Sequence, residues 1–169
     1  MAAQLLFFLL ATVAIASAVG MLVVRSPVSS ALWLVLNLFC VAGLYLTLNA
    51  SFIGVIQILV YAGAIMVLFL FVIMLLNLQA LPRIEDVQWT QVLAFLVGVG
   101  VLAQLVYVIA ARLNVSTEVV TPEAAATTGS ADFLGKVLFT EYALHLEVAG
   151  ILLLAATIGA VMLAKRRFE

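Results

Sequence analysis

Charge is scarce in this sequence: 9% of its 169 residues are Asp, Glu, Lys or Arg, against 67% hydrophobic ones. So little polar surface cannot coat a water-soluble domain of this size, and the solvent of the folded chain is lipid. The net charge is −1 and the few basic residues form no cationic stripe. Nothing therefore neutralises a run of phosphates, and nucleic acid is not expected as a partner. The single cysteine, Cys40, lies in an apolar run. It excludes an intrachain disulfide and a thiolate cluster for an iron–sulfur centre, and reads as a small buried apolar residue. The single histidine, His145, cannot supply paired axial ligands for a b-type haem. One His with one Cys is also poor material for zinc, so no redox cofactor or metal is expected in this chain. No Lys or Arg precedes Arg25. The run Leu5 to Ile15 followed by Ala16-Ser17-Ala18 thus lacks the charged start of a secretory signal, and its apolar character continues to Val24. It is expected to stay as a first helix.

Between Arg25 and Arg83 there is no Asp, Glu, Lys, Arg or His. At ~1.5 Å per residue that stretch is about twice the ~30 Å hydrocarbon thickness, so it must fold back once. The polar cluster Asn49-Ala50-Ser51 is the plausible turn, and it makes the second and third helices antiparallel neighbours. Pro27 fits the first turn of helix two, and Pro82 follows helix three. A further uncharged run, Val87 to Ala111, gives helix four. After it, Asn114 to Glu118 and the small, polar Thr121 to Asp132 read as an aqueous loop, with a short amphipathic piece around Phe133 to Phe139. The last span ends before Lys165-Arg166-Arg167 and so begins near Tyr142. The expected organisation is one all-α integral membrane domain over residues 1–169, with helices near 3–24, 28–48, 52–76, 88–111 and 142–164. The loop over 112–138 is extracytoplasmic. Arg25, Arg83, Lys165, Arg166 and Arg167 fall on one side and Arg112 and Lys136 on the other, which puts the amino terminus outside and the carboxyl terminus in the cytoplasm.

An odd number of spans without internal repeat argues against a self-contained inverted-repeat transporter. Small residues four apart, at Ala14/Ala18, Ala16/Gly20, Ala155/Gly159 and Ala160/Ala164, let helices approach closely, either within the chain or against other subunits. In helix three, Gln57 and Tyr61 lie four apart on one face, where an amide and a phenol together can bind a water or a neighbouring polar group. Gly63 beside them lowers the cost of rewinding and marks a place for a turn with i to i+5 bonding. The alternative is that Gly63 only permits close helix contact. Asn37, Gln104 and Tyr107 are mid-span polar groups suited to interhelical hydrogen bonds. Glu141 and His145 share the four-residue spacing and read as solvated interfacial residues. Glu147 sits just inside the bilayer boundary and not at its centre, where a charge costs roughly 2.5–3.5 kcal/mol or more, and is a candidate for proton handling or partner contact. No catalytic triad, phosphate loop or mid-membrane carboxylate pair is present, so chemistry by this chain alone is not expected.

The run Val60-Tyr61-Ala62-Gly63-Ala64-Ile65-Met66-Val67-Leu68-Phe69-Leu70-Phe71 and its continuation to Leu78 closely resembles the third helix of the complex I subunit called J in bacteria and subunit 6 in mitochondria. Pro27-Val28-Ser29-Ser30-Ala31-Leu32, and Leu138-Phe139-Thr140-Glu141-Tyr142 with Glu147, agree with that family too. The resemblance implies a subunit without its own cofactor in a larger membrane arm of the bacterial inner membrane. NADH, FMN, iron–sulfur clusters and quinone would belong to other subunits. Its partners would be the A-, H-, K-, L-, M- and N-type membrane subunits. It further implies that helix three can hold a π-bulge near Tyr61 and Gly63, whose conversion to α-helix gates a water chain from the quinone cavity toward the pumps. Tyr61, Gly63, Val67 and Gln57 would belong to that switch, with Glu147 a second candidate. Some members carry an acid where this chain has Gln57, so direct protonation there is absent. The other readings left open are a small homo-oligomeric transporter or channel with the Gln57/Tyr61 face lining a pore, and the equivalent subunit of a hydrogenase or ferredoxin-linked complex.

Overall fold

Five stretches of chain are long and apolar enough to cross a bilayer in a computed structural model of the protein, which describes residues 2–76, 89–112 and 121–165. They are α1 (Ala2–Val23), α2 (Pro27–Thr47), a third span over Ser51–Leu75, α5 (Trp89–Arg112) and α8 (Ala143–Ala164). The third span has three parts: α3 (Ser51–Ile56), a π-helical segment π1 (Gln57–Ile65) and α4 (Met66–Leu75). Two short helices, α6 (Pro122–Thr128) and α7 (Ala131–Thr140), precede α8. The protein is thus an all-helical membrane protein with no strand among the described residues. The expectations for Pro82, Arg83, Asn114 to Glu118, Arg166 and Arg167 lie outside those residues.

Lipid tails are as apolar as leucine, so α1 and α2 gain nothing from hydrophobic burial against each other and must associate through close packing and polar bonds. Both are present. Asn37 Nδ2 on α2 donates to the Ala14 carbonyl at 2.7 Å and to Ser17 Oγ at 3.2 Å on α1. Ser17 is fully buried and donates in turn to the Ala14 carbonyl at 2.9 Å. Nearer the loop, Ser30 Oγ donates to the Met21 carbonyl at 2.7 Å. Gly20 makes room for Trp33, since a Cβ there would stand 2.9 Å from the indole. Asn37 therefore makes the interhelical bonds its mid-span position suggests, while Ser17 and Ser30 complete a clamp that the sequence did not single out.

The chain reverses at Asn49. Its φ of 60° is left-handed, a region that Asn tolerates better than most residues. The Ala50 N–H donates to the Tyr45 carbonyl at 3.0 Å and the Asn49 N–H to the Leu46 carbonyl at 3.2 Å, the paired bonds of a Schellman ending. Gly54 in the next turn is buried against Leu46 and the Ala42 carbonyl, which seats α3 on α2.

The chain divides into two units, Met1–Leu75 with Thr121–Glu169, and Leu76–Val120. In the first, α8 packs chiefly on α7 and buries none of its residues. A Cβ at Gly159 meets no atom within 4 Å. The Ala155/Gly159 face is therefore not used for packing among the described residues. In the second, no residue of α5 over Val92–Ala111 is buried.

Candidate functional site

Helix three begins as ordinary α-helix. The Gln57 N–H donates to the carbonyls of Ile53 and Gly54, four and three residues back. Nine residues later the Met66 N–H instead reaches the Tyr61 and Gly63 carbonyls, five and three back. The ladder has slipped by one residue across Gln57–Ile65. Such wide turns are rare, occur mostly as single-turn bulges, and frequently mark functional sites.

Gly63 explains part of this. A Cβ at that position would lie 3.2 Å from the Ile58 carbonyl oxygen, five residues back, closer than ordinary van der Waals contact. The wide turn brings that carbonyl under residue 63, where a side chain fits only if the carbonyl gives by a few tenths of an ångström. Of the two roles open to Gly63, close approach to another helix and accommodation of a wide turn, the structure displays the second.

The inner face is sharply defined, with Ala62 in the segment 6% exposed and Met66, the first residue after it, 4% exposed. The segment packs on α2. Tyr61 at 50% and Val67 at 62% face outward. Gln57 and Gly63 are half-buried. The structure thus brings Gln57, Tyr61 and Gly63 into one π segment, with Val67 as the second residue of the α-helix that follows. Neither the Gln57 carboxamide nor the Tyr61 phenol makes a hydrogen bond among the described residues, and neither carries a fully buried polar atom without a partner. Bare polar groups at membrane depth are costly, so both are suited to a water or to a group on a neighbouring polypeptide.

Glu147 is elsewhere, about one turn into α8, exposed and without an ion pair or hydrogen bond among the described residues. Glu141 and His145 do not share a helix face as their spacing suggests. α7 ends at Thr140 and α8 starts at Ala143, and the turn between them separates the two. His145 lies beside Tyr142 instead, with ring centroids 5.6 Å apart and planes at 58°, and both Glu141 and His145 are exposed. Gln104 and Tyr107 on α5 are exposed and make no hydrogen bond among the described residues. No group of three or more His, Cys, Asp or Glu among the described residues is placed to hold a metal ion.

The model of the family described as NADH-ubiquinone/plastoquinone oxidoreductase chain 6 matches residues 17–163. The chain belongs to that family. The chain 6 match takes in the π segment and Glu147, and reaches from within α1 nearly to the end of α8. Individual relatives agree with it. The F(420)H(2) dehydrogenase subunit J of Methanosarcina mazei is 39% identical, over 94% of this chain and 89% of its own length. NAD(P)H-quinone oxidoreductase chain 6 of Nostoc sp. is 38% identical, over 96% of this chain and 79% of its own. NADH-quinone oxidoreductase subunit J of Escherichia coli strain K12 is 35% identical, over 91% and 82%.

Proposed function

We propose that this chain is the J-type core subunit of a proton-translocating NADH:quinone oxidoreductase, and that helix three gates the water-filled path between the quinone module and the antiporter-like subunits. The observation that carries the gating is the π segment Gln57–Ile65. Moving from five-back to four-back bonding keeps the N–H groups bonded and changes the ladder by one acceptor, the Ala62 carbonyl, which the Met66 N–H passes over in the wide turn. Removing one excess residue turns Met66–Leu75 by about 100° relative to Ser51–Ile56, because a helix has ~3.6 residues per turn. That rotation carries Val67 to another face and changes what stands beside Tyr61. A side chain that closes a gap in one register opens it in the other, and water enters or leaves.

The chain's own part is conformational. NADH, FMN, iron–sulfur clusters and quinone are handled by other subunits, consistent with one Cys and one His, Cys40 and His145, as its whole stock of soft ligands. The A-, H-, K-, L-, M- and N-type membrane subunits would surround it, and the exposed apolar faces of α5 and α8 suit such neighbours as well as lipid. The amino terminus lies outside and the carboxyl terminus in the cytoplasm of a bacterial inner membrane, following the placement of Arg25 and Lys165. Glu147, one turn inside α8, would serve in contact with a partner or in proton handling.

Gly63→Val tests the gate. The added methyls crowd the Ile58 carbonyl in the wide turn and favour the α register. Proton pumping per complex falls while the complex still assembles. Full pumping in an assembled Gly63→Val complex removes Gly63 from the switch. A second reading is favoured by the likeness to the F(420)H(2) dehydrogenase subunit J: the same membrane role in a complex fed by another donor. The electron-input subunits that copurify with the chain decide between the two.

A further inference from the structure

Helix three has no cap of its own. Ala50 occupies the N-cap position and offers no side-chain bond to the exposed N–H groups of the first turn. The missing acceptor comes from a backbone carbonyl far along the chain. Gly129 O accepts from the Phe52 N–H at 3.1 Å and from Ser51 Oγ at 3.2 Å, the latter across 78 residues of sequence. The fit is tight, since a Cβ at Gly129 would collide with the Asn49 carbonyl and lie 3.0 Å from Ala50 Cα. Only glycine lets this backbone lie against the Asn49 turn.

The joint that presents this carbonyl is well held. The Gly129 N–H donates to the Ala125 carbonyl at 2.9 Å and closes α6. Ser130 Oγ accepts from the Phe133 N–H at 3.3 Å, capping α7, and donates to the Thr127 carbonyl at 2.7 Å. Two short helices therefore meet at one residue whose carbonyl is committed to neither of them and bonds to the start of helix three.

We infer that the α6–α7 joint is a strap fixing the Ser51 end of helix three, with Gly129 as its positioning residue. This rests on the gating function proposed above. A helix that changes register in its middle must turn at one end, and the strap, together with the Schellman turn at Asn49, holds one end still. The rotation is then delivered to Met66–Leu75 and is not lost as slippage at the α2–α3 turn.

The test uses the whole complex in native membranes and compares Gly129→Ala with Gly135→Ala, a control in α7 where a Cβ meets no atom within 4 Å. Two quantities are read: amide hydrogen exchange across residues 50–56, and protons translocated per quinone reduced. The expected result for Gly129→Ala is an exchange rise of roughly tenfold or more, with at least a twofold lower proton ratio at equal assembly, and no change for Gly135→Ala. A merely structural role would lower the amount of complex and leave that ratio alone. Unchanged exchange in Gly129→Ala overturns the docking. Faster exchange with an unchanged ratio overturns the positioning role, and the gate itself then stands or falls on Gly63→Val alone. If Gly129→Ala does not assemble, Ser51→Ala decides, because it removes one of the two donors and leaves the fold intact. Exchange at Phe52 must then rise at least twofold, and no rise overturns the strap.

Discussion

The α1–α2 hairpin and the middle of helix three are both buried in the same apolar solvent, yet they treat their polar groups in opposite ways. In the hairpin, Asn37, Ser17 and Ser30 are committed to one another and to backbone carbonyls, and Gly20 is filled by Trp33. In helix three, Gln57 and Tyr61 stand without a hydrogen bond among the described residues, and the backbone ladder is offset by one residue. A satisfied, tightly packed contact resists rearrangement, whereas an offset ladder beside free polar groups is the kind of element the proposed gate requires. On that proposal the first is a frame and the second a switch.

Breaking the frame is expected to give the largest effect. Gly20→Val drives methyl groups into the Trp33 ring, and overpacking of this kind costs ~1–3 kcal/mol. The amount of assembled complex should fall, as read on native gels, while whatever assembles pumps normally. Gly63→Val is expected to do the reverse. Crowding the Ile58 carbonyl by ~1 kcal/mol biases a two-register equilibrium about fivefold. Pumping should drop several-fold in membranes that contain normal amounts of complex. Asn37→Leu removes two hydrogen bonds from the hairpin but leaves Ser17 bonded to Ala14. Such bonds in membranes are worth ~0.6 kcal/mol on average, so the complex should lose only a few degrees of thermal stability with activity retained. Tyr61→Phe, which deletes one exposed phenol oxygen and no packing, should change complex abundance least while still slowing pumping measurably. A loss of abundance from Tyr61→Phe larger than that from Asn37→Leu would reverse the assignment of frame and switch.

Much of this was legible in the residues. The absence of charge between Arg25 and Arg83 forces a hairpin, and the one polar cluster within it, Asn49-Ala50-Ser51, is where the chain turns. The place of the wide turn was also legible, since Gly63 next to Tyr61 relaxes the side-chain constraint on the backbone. Whether the turn is wide was not. The two registers differ by a single ladder bond, since in the wide turn the Met66 N–H passes over the Ala62 carbonyl, and the packing of this segment on α2 is not contained in a linear pattern. The pairing of Glu141 with His145 was misread because the helix breaks between them: Glu141 follows the end of α7 and Tyr142 precedes α8. Gly129 is not legible in the sequence because its partners, Ser51 and Phe52, lie 78 and 77 residues away. Its one local sign is a glycine followed by the cap residue Ser130, which is common at any joint between short helices.

The proposed gate requires helix three to have two registers. Density maps of the assembled complex, one at rest and one frozen during turnover with quinone, test this most directly. The expected pair has the Met66 N–H bonded to the Tyr61 carbonyl in one map and to the Ala62 carbonyl in the other, with Val67 turned by about 100° between them. The same wide turn across Gln57–Ile65 in both maps, with Val67 unmoved, would contradict it.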